Sequence, residues 1–325
     1  MSSLVVMAHF DVDRILRAHT LRTIENYAAV ADRLVVVSTS GLDEESLAKL
    51  PSKCEFLERP NFGYDFFSYK WGLDHVGDVG DYDHIVIGND SFIGPTVGLD
   101  TILESQAMQD TDILGMTLSQ RHAEHVQSFF FVVNQYVARS NVFRLFFKDM
   151  EPVTDRMKVI SAYEIGVSKA LASGGFKLDA YFKPTEEERA LGERRWQWHR
   201  THRLSHRDAT RVVHEDDPNL PATNMNPAVA FADRVLLDDR LPLVKFDTLR
   251  YDPYALSADH LLAQCEAARP ETFDGVRDFL SRTRDRYPFR PGEINTPVTL
   301  AELERNLIGY GMDEGFRMND EEKNV

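Results

Sequence analysis

The chain has 325 residues, 43% of them hydrophobic and 10% aromatic, which is enough to bury a core in one large domain or two modest ones and excludes a disordered chain. Its 52 acidic against 37 basic residues leave a net charge of -15, which excludes broad binding to nucleic-acid phosphates and suits a small or metal-bridged anionic substrate. Cys54 and Cys265 are distant and unpaired in spacing, no run of about 18 apolar residues occurs, and the first residues read as a strand instead of a signal peptide, so a reducing cytoplasm is the expected setting.

Residues 4–8 form a continuous apolar run, as in a strand covered on both faces. Asp11 or Asp13 is expected to cap the helix that follows, where Ile15, Leu16, His19, Ile24 and Tyr27 recur at helical spacing. A second buried strand, 34–37, ends in the polar residues 38–41, and after a short helix a third covers 54–57. The loop 58–65 leads into an aromatic-rich helix ending near Gly77 and Gly80, and the strand 84–88 delivers Asn89, Asp90 and Ser91. Alternation of this kind predicts right-handed crossovers and a mostly parallel sheet. Further on, 128–133 is strand-like, and 155–173 reads as a helix with Val159, Ile160, Tyr163 and Val167 on one stripe. A charged stretch, 185–211, and a Pro/Asn-rich segment, 217–227, precede a last third of short helices and an acidic, frayed tail from about Met318.

In an open parallel sheet, ligands sit at the carboxyl ends of the strands, near the point where the strand order reverses. Four polar clusters fall at such ends: His9 to Asp11, Ser38 to Gly41, Asn61 to Asp65, and Asn89 to Ser91. Each alone is an ordinary way to stop a strand; together on one edge they mark a site. Asn89-Asp90-Ser91 offers one carboxylate flanked by two neutral oxygen donors, a seat for a hard divalent cation, and it also reads as a turn in which Asp90 caps the loop. Asn61, Gly63 and Asp65 place a glycine where backbone approaches a ligand and a carboxylate at a helix start, a pattern shared with a plain turn and N-cap.

Residues 4 to about 182 resemble the rhamnan synthesis protein F family of bacterial polysaccharide glycosyltransferases. The likeness runs in order through Ala8 to Asp11, Arg59 to Phe66, Tyr82 to Pro95, Asp112 to Thr117, His125 to Phe130 and Val159 to Ser168, and more weakly through Asn226-Pro227 and 241–245. It implies an α/β, GT-A-like (Rossmann-like) fold, a mostly parallel sheet flanked by helices with a mainly helical C-terminal part. The implied organisation is a nucleotide-sugar-binding and catalytic core at 1–182, a charged helical insertion completing the core at 183–255, and a helical extension at 256–325. The implied activity is inverting transfer of a sugar from a nucleotide-diphosphate donor, dTDP-L-rhamnose being favoured, to a glycan or lipid-linked acceptor at the cytoplasmic face of the membrane.

The resemblance also implies roles. Asp90 would hold a divalent metal, manganese or magnesium, with Asn89 and Ser91 as helpers; here one carboxylate stands where such enzymes usually have a pair. Glu164, within a Tyr-Glu-x-Gly pattern, would take the acceptor proton. Lys245 would neutralise the departing diphosphate, Gln127 and Ser128 would bond sugar hydroxyls, and His9, Asn61, Gly63 and Asp65 would contact the donor. Trp196 and Trp198 among Arg194, Arg195, Arg200, Arg203 and Arg207 suit a membrane surface, a lipid-diphosphate acceptor or sugar stacking, and equally a solvated helix whose tryptophans dock on the core. Three rivals compete: a zinc-dependent sugar deacetylase using His9, Asp11 and His122 to His125, a phosphatase built on Asp11 and Asp13, and a non-catalytic carbohydrate-binding protein.

Overall fold

Seven strands form the central sheet of the computed structural model, which describes residues 2–200, 222–287 and 308–311. The chain divides into two compact units, one of Met1–Ser119 and Ala123–Tyr181, the other of Gln120–His122 and Phe182–Val325. The first unit holds β1 (Ser3–His9), α1 (Ala18–Val30), β2 (Arg33–Ser38), α2 (Glu44–Leu47), β3 (Cys54–Glu58), α3 (Tyr64–Val76), β4 (His84–Asn89) and the short β5 (Phe92–Ile93). After α4 (Leu99–Leu103) and α5 (Gln106–Gln109) come β6 (Ile113–Gly115), β7 (Leu118–Ser119), β8 (His125–Val126), β9 (Phe130–Asn134), α6 (Gln135–Arg139) and α7 (Asn141–Lys148). It closes with α8 (Arg156–Val159), α9 (Ile165–Ser173) and β10 (Leu178–Ala180).

The sheet order is β10-β6-β9-β4-β1-β2-β3. β1, β2, β3 and β4 run parallel, β9 runs antiparallel between β4 and β6, and β10 is parallel to β6. The α/β expectation of a mostly parallel sheet flanked by helices therefore holds. From β1 the chain builds outward through β2 and β3, then returns to place β4 on the other side of β1. That reversal opens a crevice beyond the carboxyl ends of β1 and β4. The return is made by α3, which packs on β1 so closely that a Cβ on Gly72 would lie 2.4 Å from Val6 Cγ1. Leu4, Val6, Val35, Val37, Ile85, Ile87, Phe131 and Val133 supply the core beneath it.

Three local expectations are corrected. α1 begins at Ala18 with Arg17 at its N-cap, so neither Asp11 nor Asp13 caps it. Both carboxylates bind Arg17 instead, and Asp11 Oδ1 also accepts the Asp13 and Ile15 amides at 2.8 and 3.2 Å, which holds 11–17 as a turn. The strand expected from Ser128 begins at Phe130, leaving Ser128 in the preceding loop. The helix expected over 155–173 is broken by a π-helical turn, Ile160–Glu164, between α8 and α9, and Val159 and Val167 are buried while Ile160 and Tyr163 are half-buried.

The second unit is mainly helical in its described part: α10 (Glu186–Trp198), α11 (Pro227–Ala230), the two-residue β11 (Val244–Lys245), α12 (Phe246–Tyr251), α13 (Ala258–Ala268), α14 (Pro270–Phe273) and α15 (Val276–Arg282). Thr185 and Glu188 close a capping box at the start of α10, and Asn226 with Pro227 caps α11. Trp196 and Trp198 are 4% and 6% exposed, so they are core residues and do not offer a face to membrane or sugar. Arg195, read with them as part of a basic surface, is fully buried. Arg203, Arg207, the segment 217–221 and the tail from Met318 lie outside the described residues.

Candidate functional site

All four strand-end clusters meet at the β1/β4 crevice, joined by hydrogen bonds. The register puts Ala8 opposite Asn89 and His9 opposite Ser38, so the ends of β4, β1 and β2 lie side by side. His9 Nδ1 stands 2.9 Å from Ser38 Oγ, and its Nε2 lies 3.9 Å from Asp90 Oδ2. The Phe10 amide donates to Asp90 Oδ2 at 2.8 Å, and the Asp11 amide to Ser40 Oγ at 3.0 Å. Asn89 ties the remaining two clusters together. Its Nδ2 donates to Asp65 Oδ2 at 2.8 Å, while its Oδ1 accepts from the Ser91 amide at 3.0 Å and the Ser91 hydroxyl at 2.7 Å.

Asp65 is presented by the first turn of α3, where a carboxylate suits the positive end of the helix. The loop before it is shaped by Arg59, which is 4% exposed and donates to Ser68 Oγ and to the carbonyls of Pro60, Phe62 and Tyr64. Gly63 caps α3 with φ +72°, and a Cβ there would lie 2.7 Å from Phe67 Cβ. Its glycine is thus required by the backbone and by Phe67. Asn61 is exposed in the same loop.

A second group lies across Tyr69, one turn of α3 beyond Asp65. Tyr69 donates to the Ser128 carbonyl at 2.9 Å, and Ser128 Oγ donates to Glu164 Oε2 at 2.6 Å. Burial raises the Tyr69 phenol well above its ordinary range, and the charges of Asp65, Glu164 and Asp90 add to the rise. The charges of three carboxylates thus act on one buried hydroxyl. Glu164 ends the π-helical turn, a feature often found at functional sites. Gln127 faces inward, its Oε1 accepting from Thr117 Oγ1 at 2.7 Å. Lys245 belongs to the second unit, in β11 and at the N-cap of α12.

Electrostatics distinguish the residues. Burial lowers the His9 imidazole to about 4, against the opposing pull of Asp11, so His9 is neutral at pH 7. The Asp90 side chain keeps 19% of its surface exposed; burial of the rest, with Asp65 and Asp11 nearby, pushes its carboxyl up to about 8. Carboxylates that resist ionising together are natural partners for a cation. Among the described residues, however, no group of three or more His, Cys, Asp or Glu side chains is arranged to hold a metal ion. Asp11 is taken by Arg17, and Asp65 accepts from Asn89. A hard cation held here would have Asp90 as a protein ligand and would take its remaining oxygens from a bound molecule, and these residues form no ligand set for zinc.

The family model for rhamnan synthesis protein F matches residues 34–206, more than half of the chain. The chain belongs to the rhamnan synthesis protein F family. The family match takes in Asp65, Asn89, Asp90, Ser128 and Glu164, and leaves His9 and Lys245 outside it. The virulence protein VirA of Vibrio anguillarum is 31% identical over 150 residues, 44% of this chain and 47% of that protein. This member of the rhamnan synthesis protein F family thus spans about half the length of the curated relatives it matches. A crystal structure of the galactosyltransferase LgtC with donor and acceptor sugar analogs shares 11% identity and a TM-score of 0.36 over 89% of this chain and 98% of that one. Core-mannan synthase A from Aspergillus fumigatus, in an Mn/GDP form, shares 9% identity at a TM-score of 0.29 over 55% and 72%. Both likenesses are too loose to transfer a residue's role.

Sequence reasoning missed Arg59 and Tyr69 as site builders and saw His125 only as a rival's zinc ligand. His125 Nδ1 lies 2.7 Å from the Ala123 carbonyl and Nε2 3.3 Å from Glu164 Oε1. No local spacing signals that contact, because its partners come from β8 and from the distant π-helical turn.

Proposed function

We propose that the first unit binds a nucleotide-diphosphate sugar in the β1/β4 crevice and transfers the sugar, with inversion, to a hydroxyl of a glycan or lipid-linked acceptor. The observation that carries this reading is the joining of four strand-end clusters at the topological switch point, with Ser128 linking Tyr69 of α3 to Glu164. Membership of a rhamnan synthesis family favours dTDP-L-rhamnose as donor. Asp65, Asn89, Ser91 and the neutral His9 line the donor side. Asp90 would hold a divalent cation, manganese or magnesium, that supplies charge neutralisation to the diphosphate.

Glu164 takes the proton of the acceptor hydroxyl, whose oxygen attacks C1 of the sugar as the bond from C1 to the diphosphate oxygen breaks. Ser128 holds one oxygen of that carboxylate in place. Every assigned residue lies in the first unit.

The test is a thermal-shift screen of nucleotides and nucleotide sugars, with and without manganese. A ligand at one hundred times its Kd stabilises by about 2.7 kcal/mol. A selective response to dTDP or UDP species, abolished by Asp90→Ala, is expected. Glu164→Gln should keep that response and lose turnover. Indifference to every nucleotide would refute the donor site, and full turnover by Glu164→Gln would refute the base.

A further inference from the structure

His125 has no part in the reading above, yet it completes the contact on which Glu164 depends. It is 4% exposed at the start of β8, and the adjoining Val126 amide is tied to Ser168 Oγ at 3.1 Å. A carbonyl oxygen only accepts, so the 2.7 Å contact with Ala123 requires a hydrogen on Nδ1. Nε2 is then the nitrogen that gains or gives up a proton, and it points at Glu164 Oε1 across 3.3 Å. With a neutral ring and an ionised carboxylate, two lone pairs would face each other there. One proton between them turns that conflict into a hydrogen bond. On the other oxygen, the Ser128 hydroxyl donates at 2.6 Å, the length expected of a bond to an ionised carboxylate.

Tyr69 approaches from α3, but its hydroxyl is given to the Ser128 carbonyl. Asp65 and Asp90 act on the same tyrosine as Glu164 does. Tyr163, beside Glu164 on the π-helical turn, is turned to the backbone of Glu151.

We propose that His125 is the positioning and proton-storing partner of Glu164, so that the pair, and not the carboxylate alone, takes up the acceptor proton. This rests on Glu164 being the base. As the acceptor oxygen forms its bond to C1 with its own electron pair, its proton passes to Glu164 and on to Nε2 of His125. The electron pair of the broken C1–O bond leaves with the nucleotide diphosphate. Glu164 ends the step as a carboxylate beside an imidazolium, which returns the proton to solvent once the products depart. The Ala123 carbonyl fixes the ring so that Nε2, and never Nδ1, serves this exchange.

The test that needs no substrate is nuclear magnetic resonance of the full chain labelled with 15N-histidine, the His125 signals being those lost in His125→Gln. Nδ1 should be protonated throughout, and the share of doubly protonated ring at a given pH should be smaller in Glu164→Gln than in the unaltered chain. A bare Nδ1, or a ring state identical in the two proteins, would overturn the proposal. The kinetic arm follows hydrolysis of dTDP-L-rhamnose, with water as acceptor. His125→Gln keeps a hydrogen bond to Glu164 but stores no proton; it should lower kcat about 100-fold with the donor KM unchanged and alter the pH profile. If Glu164→Gln is inactive while His125→Gln keeps the full rate and an unaltered pH profile, the storage role is wrong and the base stands. If Glu164→Gln itself keeps the full rate, the base reading falls and this proposal with it.

Discussion

A buried guanidinium is costly unless its donors are used, and Arg59 uses them on one loop. It donates at 3.0 Å to Ser68 Oγ and at 2.9, 2.6 and 2.8 Å to the carbonyls of Pro60, Phe62 and Tyr64. Its plane also lies over the rings of Phe62 and Phe67. Burial lowers it to about 10, with Asp65 opposing, so it stays charged at neutral pH. Arg59→Met should therefore destabilise the first unit by about 3 kcal/mol, because three carbonyls lose a donor inside the fold. Arg59→Lys should recover little of that, since one ammonium cannot span four oxygens. Urea midpoints measure the loss, and the thermal response to nucleotide measures whether Asp65 is still presented. Full stability of the lysine variant would mean that charge, and not the fork, holds the loop. Asp65 and Asn89 were legible in the sequence because polar residues after apolar strands are visible without a structure. Arg59 was not, because its role exists only once the loop has folded back over it.

At the scale of elements, α3 presents Asp65 to the site, and its first turn is aimed by the left-handed cap at Gly63. Gly77, which ends the same helix at φ +83°, has nothing within 4 Å of a built Cβ, whereas Gly63 meets Phe67 at 2.7 Å. Alanine at Gly77, whose φ +83° and ψ -109° lie outside the left-handed helical well, should cost about 1–3 kcal/mol from backbone strain alone. Alanine at Gly63 should cost about 2–4 kcal/mol, since strain and overpacking add. A loss at Gly63 no greater than the ~1 kcal/mol of an uncrowded left-handed position would refute the packing half of that argument. Elements were legible where burial sets the pattern: β1, β2 and β4 are continuous apolar runs, and all fall within a residue of their expected ends. The direction of β9 was not, because an apolar run reads the same whichever way the strand points. Nor was the π-helical turn, for one extra residue in a helix barely disturbs an apolar stripe. The start of α1 was misjudged because the strength of the Arg17 ion pairs, a tertiary matter, outweighed the capping preference of Asp11.

For the molecule as a whole, the two units should fail in acid over different pH windows. In the first, burial, with Arg17 adding to it, lowers the His19 imidazole from the ordinary 6.5 to about 3. At His19 the folded state then binds fewer protons than the unfolded one between those values, so the stability this group contributes is full above pH 6.5 and falls as the pH drops. The loss approaches about 1.4 kcal/mol per pH unit. In the second unit, burial by itself would raise the Asp233 carboxyl, but Arg195 and Arg234 outweigh it and hold it well below the usual range. Arg195, fully buried, bonds Asp233 at 2.6 Å and the carbonyls of Ile308 and Gly309, and the Gly311 amide donates to Asp233, so this pair anchors the segment 308–311 together with Tyr310, which donates to the Val229 and Leu256 carbonyls. The stability that Asp233 contributes is present above the ordinary carboxylate value of about 3.9 and lost only as the pH falls below it. At pH 5, amide exchange corrected for its intrinsic rate should therefore show β1 and α1 losing protection while α10 and α13 retain theirs. His19→Gln should remove only part of the acid response of the first unit, since His9, lowered to about 4, adds to the loss and Asp90, raised to about 8, opposes it. Asp233→Asn should leave that response alone and cost the second unit about 3–5 kcal/mol at pH 7, because the buried Arg195 loses its counter-charge while Arg234 keeps Glu188 at 3.6 Å. Loss of protection in both units together above pH 5 would place the acid sensitivity outside both His19 and Asp233.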